Sequence, residues 1–425
     1  MKPRNLLKIT SFLLVISVSL WSCGDHKKDE EIQPDLSENL TIFFVNDQHG
    51  QLDNFSKVKY IVDGARDSLN VLLVCAGDMF SGNPIVDQYS QKGYPMIDVM
   101  NKTGFDVSVI GNHEFDYGQA NLALRMEQAE FQWVCANLNT SNTDLTQPDP
   151  YTTIAVDDLS ITFLGLVETN GKPDDIIPST HPWKVLGLEF QRYGDVVQDY
   201  ADLKESESSD LLIALTHLGS YSDRNLANSS PFIDLIIGGH SHEVIDEEVN
   251  GIPIVQSGSY LNNLGRIDLK ILNQEVIDYT VSFISLNNYE FKDQELSALI
   301  ETYNNAPEFD EVVGYSTSHL TRDELGCFYT TALMEYLDTD CSFQNGGGIR
   351  SDIDQGDITT LEIYNMDPFN NQSVIFTMTV AEIKQFFQET GAGMHVSGLP
   401  SHRNKISSMF MIKMEIYSQI RSQLP

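Results

Sequence analysis

The sequence predicts an α/β protein built as two units, and three observations carry that reading. From residue 40 to about 285, short β-rich apolar runs alternate with helix-like or loop segments, the pattern of an α/β architecture. Several runs are continuously apolar rather than alternating, as expected of strands covered on both faces. At 425 residues the chain exceeds one ordinary domain, and its pattern changes near residues 286–310.

The clearest strands in the first unit are Leu40–Val45, Val71–Cys75, Val107–Ile110, Trp133–Ala136, Ile161–Val167, Leu211–Leu215, Ile233–Ile237, Ile252–Gln256 and Gly265–Ile271. Glu295–Tyr303 has a helix-like apolar spacing and leads into Asn304-Asn305-Ala306-Pro307, so residues 286–310 are expected to link the two units. The second unit runs from about 311 to 425.

The first 39 residues are set apart. Lys2, Arg4 and Lys8 precede an apolar run from Ile9 to Trp21, short for a membrane span. The run ends in Leu20-Trp21-Ser22-Cys23-Gly24, which resembles a bacterial lipobox. Residues 1–22 are therefore expected to be a signal peptide and Cys23 the lipidated mature N-terminus, with residues 23–39 as a charged tether. The expected location is outside the cytoplasm, anchored by lipid, with the outer membrane favoured because Gly24 follows the cysteine.

Sixty-one acidic against 26 basic residues give a formal net charge of −35, which argues against a broad face for nucleic-acid polymers or anionic lipid. A small phosphorylated substrate then requires local positive charge, which metal ions supply. Beyond Cys23, the cysteines Cys75, Cys135, Cys327 and Cys341 show no CxxC spacing, excluding a zinc knuckle. An exported chain could form disulfides, but Cys75 and Cys135 sit in apolar runs and read as buried thiols.

The chemistry lies at the strand ends. Leu40–Val45 runs into Asn46-Asp47-Gln48-His49-Gly50, and Val71–Cys75 into Gly77-Asp78. Val107–Ile110 runs into Gly111-Asn112-His113-Glu114-Phe115-Asp116, Leu211–Leu215 into Thr216-His217-Leu218-Gly219, and Ile233–Ile237 into Gly238-Gly239-His240-Ser241-His242. In open α/β sheets ligands bind beyond the carboxyl ends of strands. A single Asp-x-His or His-x-His is weak evidence, because such pairs are common in structural roles. Five in order, each closing a strand and together holding five of the ten histidines, point to a site. Asp, Asn and His are hard-oxygen and borderline-nitrogen donors suited to Mn, Zn, Fe or Mg. Two such ions about 3.5–4 Å apart would bind phosphate oxygens and activate water.

These motifs, with the stretch Pro253–Tyr260, resemble the calcineurin-like metallophosphoesterases, specifically the 5′-nucleotidase family. The resemblance implies a four-layer α-β-β-α sandwich over residues 40–285. It implies one ion held by Asp47, His49 and His242, a second by Asn112, His217 and His240, and Asp78 bridging them. His113, oriented by Asp116, would face the substrate phosphate, and the nucleophile would be a metal-bound water or hydroxide. Ser81 stands where purple acid phosphatases carry a tyrosine, which argues against a tyrosinate–iron site. Nothing in the sequence points to the family's thiosulfohydrolase branch.

The second unit resembles the family's nucleoside-binding domain in part. Asn345-Gly346-Gly347-Gly348-Ile349-Arg350 matches its Asn-Gly-Gly-Gly-Ile-Arg loop, implying substrate contacts from Asn345, Gly347 and Arg350. Asp367-Pro368-Phe369-Asn370-Asn371 matches the segment whose Phe stacks on the base, implicating Phe369, and Arg322 is a further candidate contact. Ser397-Gly398-Leu399 also fits. The match fails after about residue 400, and the last 25 residues set Arg403, Lys405, Lys413 and Arg421 against one acid, Glu415. A partial C-terminal domain is therefore expected, with unpaired edges and exposed apolar surface.

The resulting expectation is a two-metal hydrolase releasing phosphate from 5′-nucleotides. The alternatives are a nucleotide-sugar or cyclic-nucleotide phosphodiesterase, or a surface lipoprotein that binds nucleotides without turnover.

Overall fold

The computed structural model describes residues 37–172, 174–369, 371–390 and 393–399. The expected signal peptide, Cys23, most of the tether and the basic tail lie outside them. Among the described residues no helix is long and apolar enough to cross a membrane.

Twelve strands form two six-stranded sheets. We number them β1 (Glu38–Val45), β2 (Val71–Cys75), β3 (Val107–Val109), β4 (Gln132–Val134), β5 (Tyr151–Val156), β6 (Leu159–Val167), β7 (Leu211–His217), β8 (Leu235–Ile237), β9 (Val244–Val249), β10 (Ile252–Ser257), β11 (Asn263–Leu272) and β12 (Glu275–Ser285). The first sheet runs β12-β11-β1-β2-β3-β4 and the second β9-β10-β8-β7-β6-β5. In each, four adjacent strands are parallel: β1 to β4 in the first, and β10, β8, β7 and β6 in the second. Antiparallel strands complete the sheets.

The layering follows from side-chain alternation. Along β1, Leu40, Ile42 and Phe44 enter a core shared with the second sheet, whereas Phe43 and Val45 face the helices outside. Along β7, Leu211, Ile213 and Leu215 enter the shared core, and Leu212 and Ala214 pack on the other side. Successive residues of a strand face opposite ways, so strands apolar on both faces place each sheet between two apolar layers. The result is helices, sheet, sheet, helices. Cys75 and Cys135 are buried free thiols.

Three strands of these two sheets escaped the sequence reading: β5, β9 and β12. Each alternates exposed and half-buried residues and carries few fully buried ones, so it lacks a continuous apolar run. The segment read as a linker contains a helix, Gln294–Asn304, held by an Asp293 N-cap that accepts from Leu296 N. Its Leu296 and Ile300, with Phe309 beyond, join the core under the first sheet. This connection is docked rather than loose.

The C-terminal part is smaller in every respect. Two antiparallel pairs, Val312–Ser316 with Gly356–Thr359 and Ser342–Asn345 with Met394–Ser397, accompany three helices, Arg322–Leu337, Thr360–Met366 and Val380–Thr390. The first two helices start with reciprocal capping boxes, Thr321 with Glu324 and Thr359 with Glu362. Their core comprises Leu320, Leu325, Ile349, Ile353, Ile358 and Met366. Val374, Ile375 and Phe376 stand 66%, 63% and 71% exposed on a stretch without regular structure.

Candidate metal centre

All five strand-end motifs meet. β1, β2 and β3 of one sheet, and β7 and β8 of the other, point their carboxyl ends at one cleft. Asp47, His49 and His242 bring ligand atoms within 4.8 Å of one another, and so do Asp78, His217 and His240. A third grouping, His49, Asp78 and His113, joins them.

The backbone there is constrained. Asp47, His49, Asp78, His240 and His242 all have φ between 49° and 80°, a region that costs a non-glycine residue about 1–3 kcal/mol. Gly77, at φ 83°, shows why small residues adjoin them: a Cβ there would stand 2.8 Å from His217 Nδ1.

Buried supports fix the donors. Asn46 donates to Asp47 Oδ2 at 2.6 Å and accepts from Ser257 N and Oγ at 2.8 and 2.7 Å. Glu114 accepts from the backbone amides of Asp78, Met79 and Gly111 at 3.0, 2.8 and 2.5 Å. Burial, then the nearby Asp78 charge, pushes the Glu114 carboxyl up to about 7. Spacing alone did not single out Asn46 or Glu114 as supports, although both lie inside the motifs.

The donor set fits cations. His49 Nδ1 donates to Ser81 O at 2.9 Å, which turns the lone pair of Nε2 into the cluster. That atom lies 3.1 Å from His242 Nε2. Asp47 Oδ1, fully buried and without a hydrogen bond, lies 3.2 Å from the same His242 nitrogen. On the other side, His217 Nδ1 donates to Ala76 O at 2.7 Å. Its Nε2 therefore faces Asp78 Oδ2 at 3.0 Å and Asn112 Oδ1 at 3.2 Å. Converging acceptors at these distances repel unless positive charge lies among them. The proton affinities agree. Burial disfavours the charged form of His217, yet Asp78 and Asp47 outweigh it and raise the group to about 10. Burial, then the charges of His113 and Arg350, hold His49 near 3, as a neutral ring.

His113 stands beside this cluster. Its backbone N–H donates to Asp78 Oδ1 at 2.9 Å, and its Nδ1 lies 2.6 Å from Asp116 Oδ2. Burial opposes a charge on the ring, but Asp116 and Asp78 prevail and raise it to about 9. Asp116 also accepts from Thr180 Oγ1 at 3.0 Å.

The C-terminal part reaches the same cleft. Arg350 places a guanidinium nitrogen 3.1 Å from His49 Nε2 and lies over the rings of Tyr260 and Phe369, at 5.9 and 5.5 Å. Phe369 stacks on His113, with centroids 5.7 Å apart and planes at 21°. Phe369 itself is half-buried and lines the cleft. Asn345 and Gly347 line the cleft, whose volume is 420 Å³. Arg322 is not among the lining residues; its Nε donates to Ile349 O at 2.8 Å and so holds the loop that carries Arg350. Tyr260, which had no role in the sequence reading beyond lying in a matching stretch, packs against both His49 and His242.

Residues 40–244 match the calcineurin-like phosphoesterase family, and residues 306–412 match the 5′-nucleotidase C-terminal domain. The chain belongs to the calcineurin-like phosphoesterases that carry this C-terminal domain. The second match extends past residue 400, where the sequence reading had it fail. Among curated relatives, the trifunctional nucleotide phosphoesterase protein YfkN of Bacillus subtilis is 28% identical over 85% of this chain, but the chain spans only 28% of that protein's length. The 5′-nucleotidase of Vibrio parahaemolyticus is 24% identical, with 97% of this chain and 86% of that protein covered. The crystal structure of a 5′-nucleotidase precursor from Thermus thermophilus shares the fold, with a TM-score of 0.75 at 22% identity, covering 85% of this chain and 81% of that one.

Proposed function

We propose that this member of the family is a two-metal phosphomonoesterase that releases phosphate from 5′-nucleotides. The observation that carries the reading is the convergence, in one cleft, of two sets of cation-seeking donors with the Asp116-paired imidazole of His113 and the guanidinium of Arg350. Asp47, His49 and His242 would hold one divalent ion, Asn112, His217 and His240 the other, and Asp78 would bridge them. Bound ions would polarise phosphoryl oxygens and acidify an attacking water.

The chain's own residues supply the rest. His113, held charged by Asp116, sits beside Asp78 and would donate to a phosphoryl or leaving oxygen as negative charge develops there. Arg350 offers a planar cationic fork to the phosphate, which suits it to an anion brought against this otherwise acidic chain. Asn345 and the backbone at Gly347 would meet the sugar side of the substrate. Nucleotides are favoured as substrates because relatives on both the sequence and structure side are named for nucleotide hydrolysis. We also infer an exported, lipid-anchored protein, which the sequence around Cys23 supports.

The test is phosphate release from AMP, UDP-glucose and a small aryl phosphate after chelation and restoration of Mn or Zn, with His113→Ala alongside. Metal-restored turnover of AMP above the aryl phosphate, lost in the variant, upholds the reading. Turnover of the aryl phosphate alone keeps the metal centre and discards nucleotide specificity. Failure on all three by folded, metal-loaded protein overturns the enzymatic reading and favours a nucleotide-binding lipoprotein.

A further inference from the structure

Glu168 has no place in the chemistry proposed above, yet it is 1% exposed at the point where β6 leaves the second sheet. A carboxylate is costly to bury unless hydrogen bonds satisfy it. Here two backbone amides do so, Asn170 N at 2.6 Å and Ser179 N at 2.5 Å. The residue's own N–H donates to His217 O at 2.9 Å, at the end of β7. Glu168 thereby pins both ends of the loop between Asn170 and Ser179 against the strand that delivers a metal donor.

The loop is closed tightly. Gly171 N donates to Ile177 O at 2.9 Å, and a Cβ on Gly171 would stand 2.0 Å from Pro178 O, so only glycine fits there. Ile177 joins the core under the first sheet. The closure ends at the cleft. Ser179 O accepts from Asn112 Nδ2 at 3.0 Å. The next residue, Thr180, donates through Oγ1 to Asp116 at 3.0 Å.

The bond to Ser179 O decides which way the Asn112 amide points. A carbonyl can only accept, so it takes the NH2 end and leaves Oδ1 for the other side. That oxygen lies 3.2 Å from His217 Nε2 and 3.0 Å from His240 Nδ1. Turned about, the amide would present N–H groups there, which cannot hold a cation. The orientation of an amide donor is thus set by the carbonyl of Ser179, whose own N–H is held by Glu168.

We propose that Glu168 is a positioning residue for Asn112: by clasping the 170–179 loop it fixes Ser179 O, and with it the amide oxygen that would face a divalent cation. The proposal rests on the metal assignment above, in which Asn112, His217 and His240 hold one ion.

The experiment titrates the full, metal-free chain with Mn in the absence of nucleotide, by calorimetry and by the EPR signal of free Mn. Glu168→Gln keeps the shape of the side chain but replaces one acceptor by an NH2 group, which cannot accept from an amide. It is expected to weaken one Mn equivalent about 10- to 100-fold, the usual worth of a group behind a ligand, and to leave the other near its wild-type affinity. In an Asn112→Ala background the same substitution should change nothing further, because groups that act through one another are not additive. Gly171→Ala forces the same loop open with the carboxylate intact and should weaken the same equivalent; it carries the test should Glu168→Gln not fold. A loop brace with no bearing on Asn112 would leave both equivalents unchanged, weaken both alike, or add its loss to that of Asn112→Ala, and any of these overturns the proposal. Turnover is read separately. A wild type that takes up two Mn but hydrolyses no nucleotide sinks the phosphatase reading and leaves the titration to decide the role of Glu168. A wild type that binds fewer than two Mn overturns both.

Discussion

The catalytic half and the C-terminal part meet at one cleft, but they are held together differently. Residues 40–285 stack an apolar layer between two sheets and further layers outside each sheet. The C-terminal part relies on one small cluster around Ile349 and Ile358, with apolar side chains at 374–376 facing water. The metal donors stand on the first scaffold and Arg350, Asn345 and Phe369 on the second. Local opening is easiest where few apolar groups are buried. The geometry of the donors should thus be stiff, whereas substrate recognition rides on the part that yields first.

The largest expected effect lies at the stiff end. Asp78→Ala removes the carboxylate common to both sides of the cluster. Phosphate release should fall by at least about 10³-fold, since a Lewis acid is worth several kcal/mol and each 1.4 kcal/mol is tenfold. Elemental analysis should show metal lost in parallel. If metal content and rate both survived, Asp78 would not be a ligand and the assignment of the cluster would be wrong.

His113→Ala separates charge from scaffold. It should lower kcat by about 10²–10⁴-fold, the usual worth of a positioned acid or base, while metal stoichiometry stays at the wild-type value. A comparable loss of metal would place His113 among the ligands. Glu114→Gln is expected to be milder. It leaves a side chain able to accept from some of the three amides it now serves, and such supporting groups typically govern about 10- to 100-fold in metal affinity. Titration of the metal-free protein with Mn measures it.

These supports show where the sequence was legible and where it was not. The parallel strands were, because burial on both faces leaves runs such as Val71–Cys75 and Leu211–Leu215 unbroken. Their ends were too, because metal donors are few in kind and recur next to glycine. The edge strands were not: Glu275–Ser285 alternates exposed and half-buried residues, and its pairing with β11 is a long-range fact. The helix at Gln294–Asn304 was legible as a helix, but spacing could not say that Leu296 and Ile300 would be buried in the first core. Aim is the deepest loss. No spacing shows that Glu114 turns back to three amides, that Arg322 spends its Nε on Ile349 O, or that Arg350 reaches His49 across 301 positions. The family resemblance brought Arg350 to the substrate side but not to that histidine.

The two parts can also be compared through their cores. Ile213→Ala, in the layer between the sheets, should cost about 2–5 kcal/mol, and Ile358→Ala, in the small cluster, should cost less because that site can relax towards solvent. Calorimetry reads both. The informative result is where each loss falls. If the parts unfold in separate transitions, Ile213→Ala should shift only the one that also carries metal-dependent stabilisation, and Ile358→Ala only the other. A single transition lowered equally by both would mean that the docked helix at 294–304 couples the two into one cooperative unit.

The smallest effect on stability should come from Phe376→Ser. The ring is 71% exposed, and substitutions at such positions usually stay within about 0.5 kcal/mol. Its consequence should appear between molecules rather than within one. Three adjacent exposed apolar residues, Val374, Ile375 and Phe376, form a stretch that other chains can cover. Light scattering at rising concentration should therefore show less self-association in the variant, at unchanged melting temperature and unchanged turnover. A lowered melting temperature would mean that Phe376 packs against something in solution. The C-terminal part would then be firmer than its small core suggests, and the contrast between the two halves would lie in where they bury apolar surface rather than in how much.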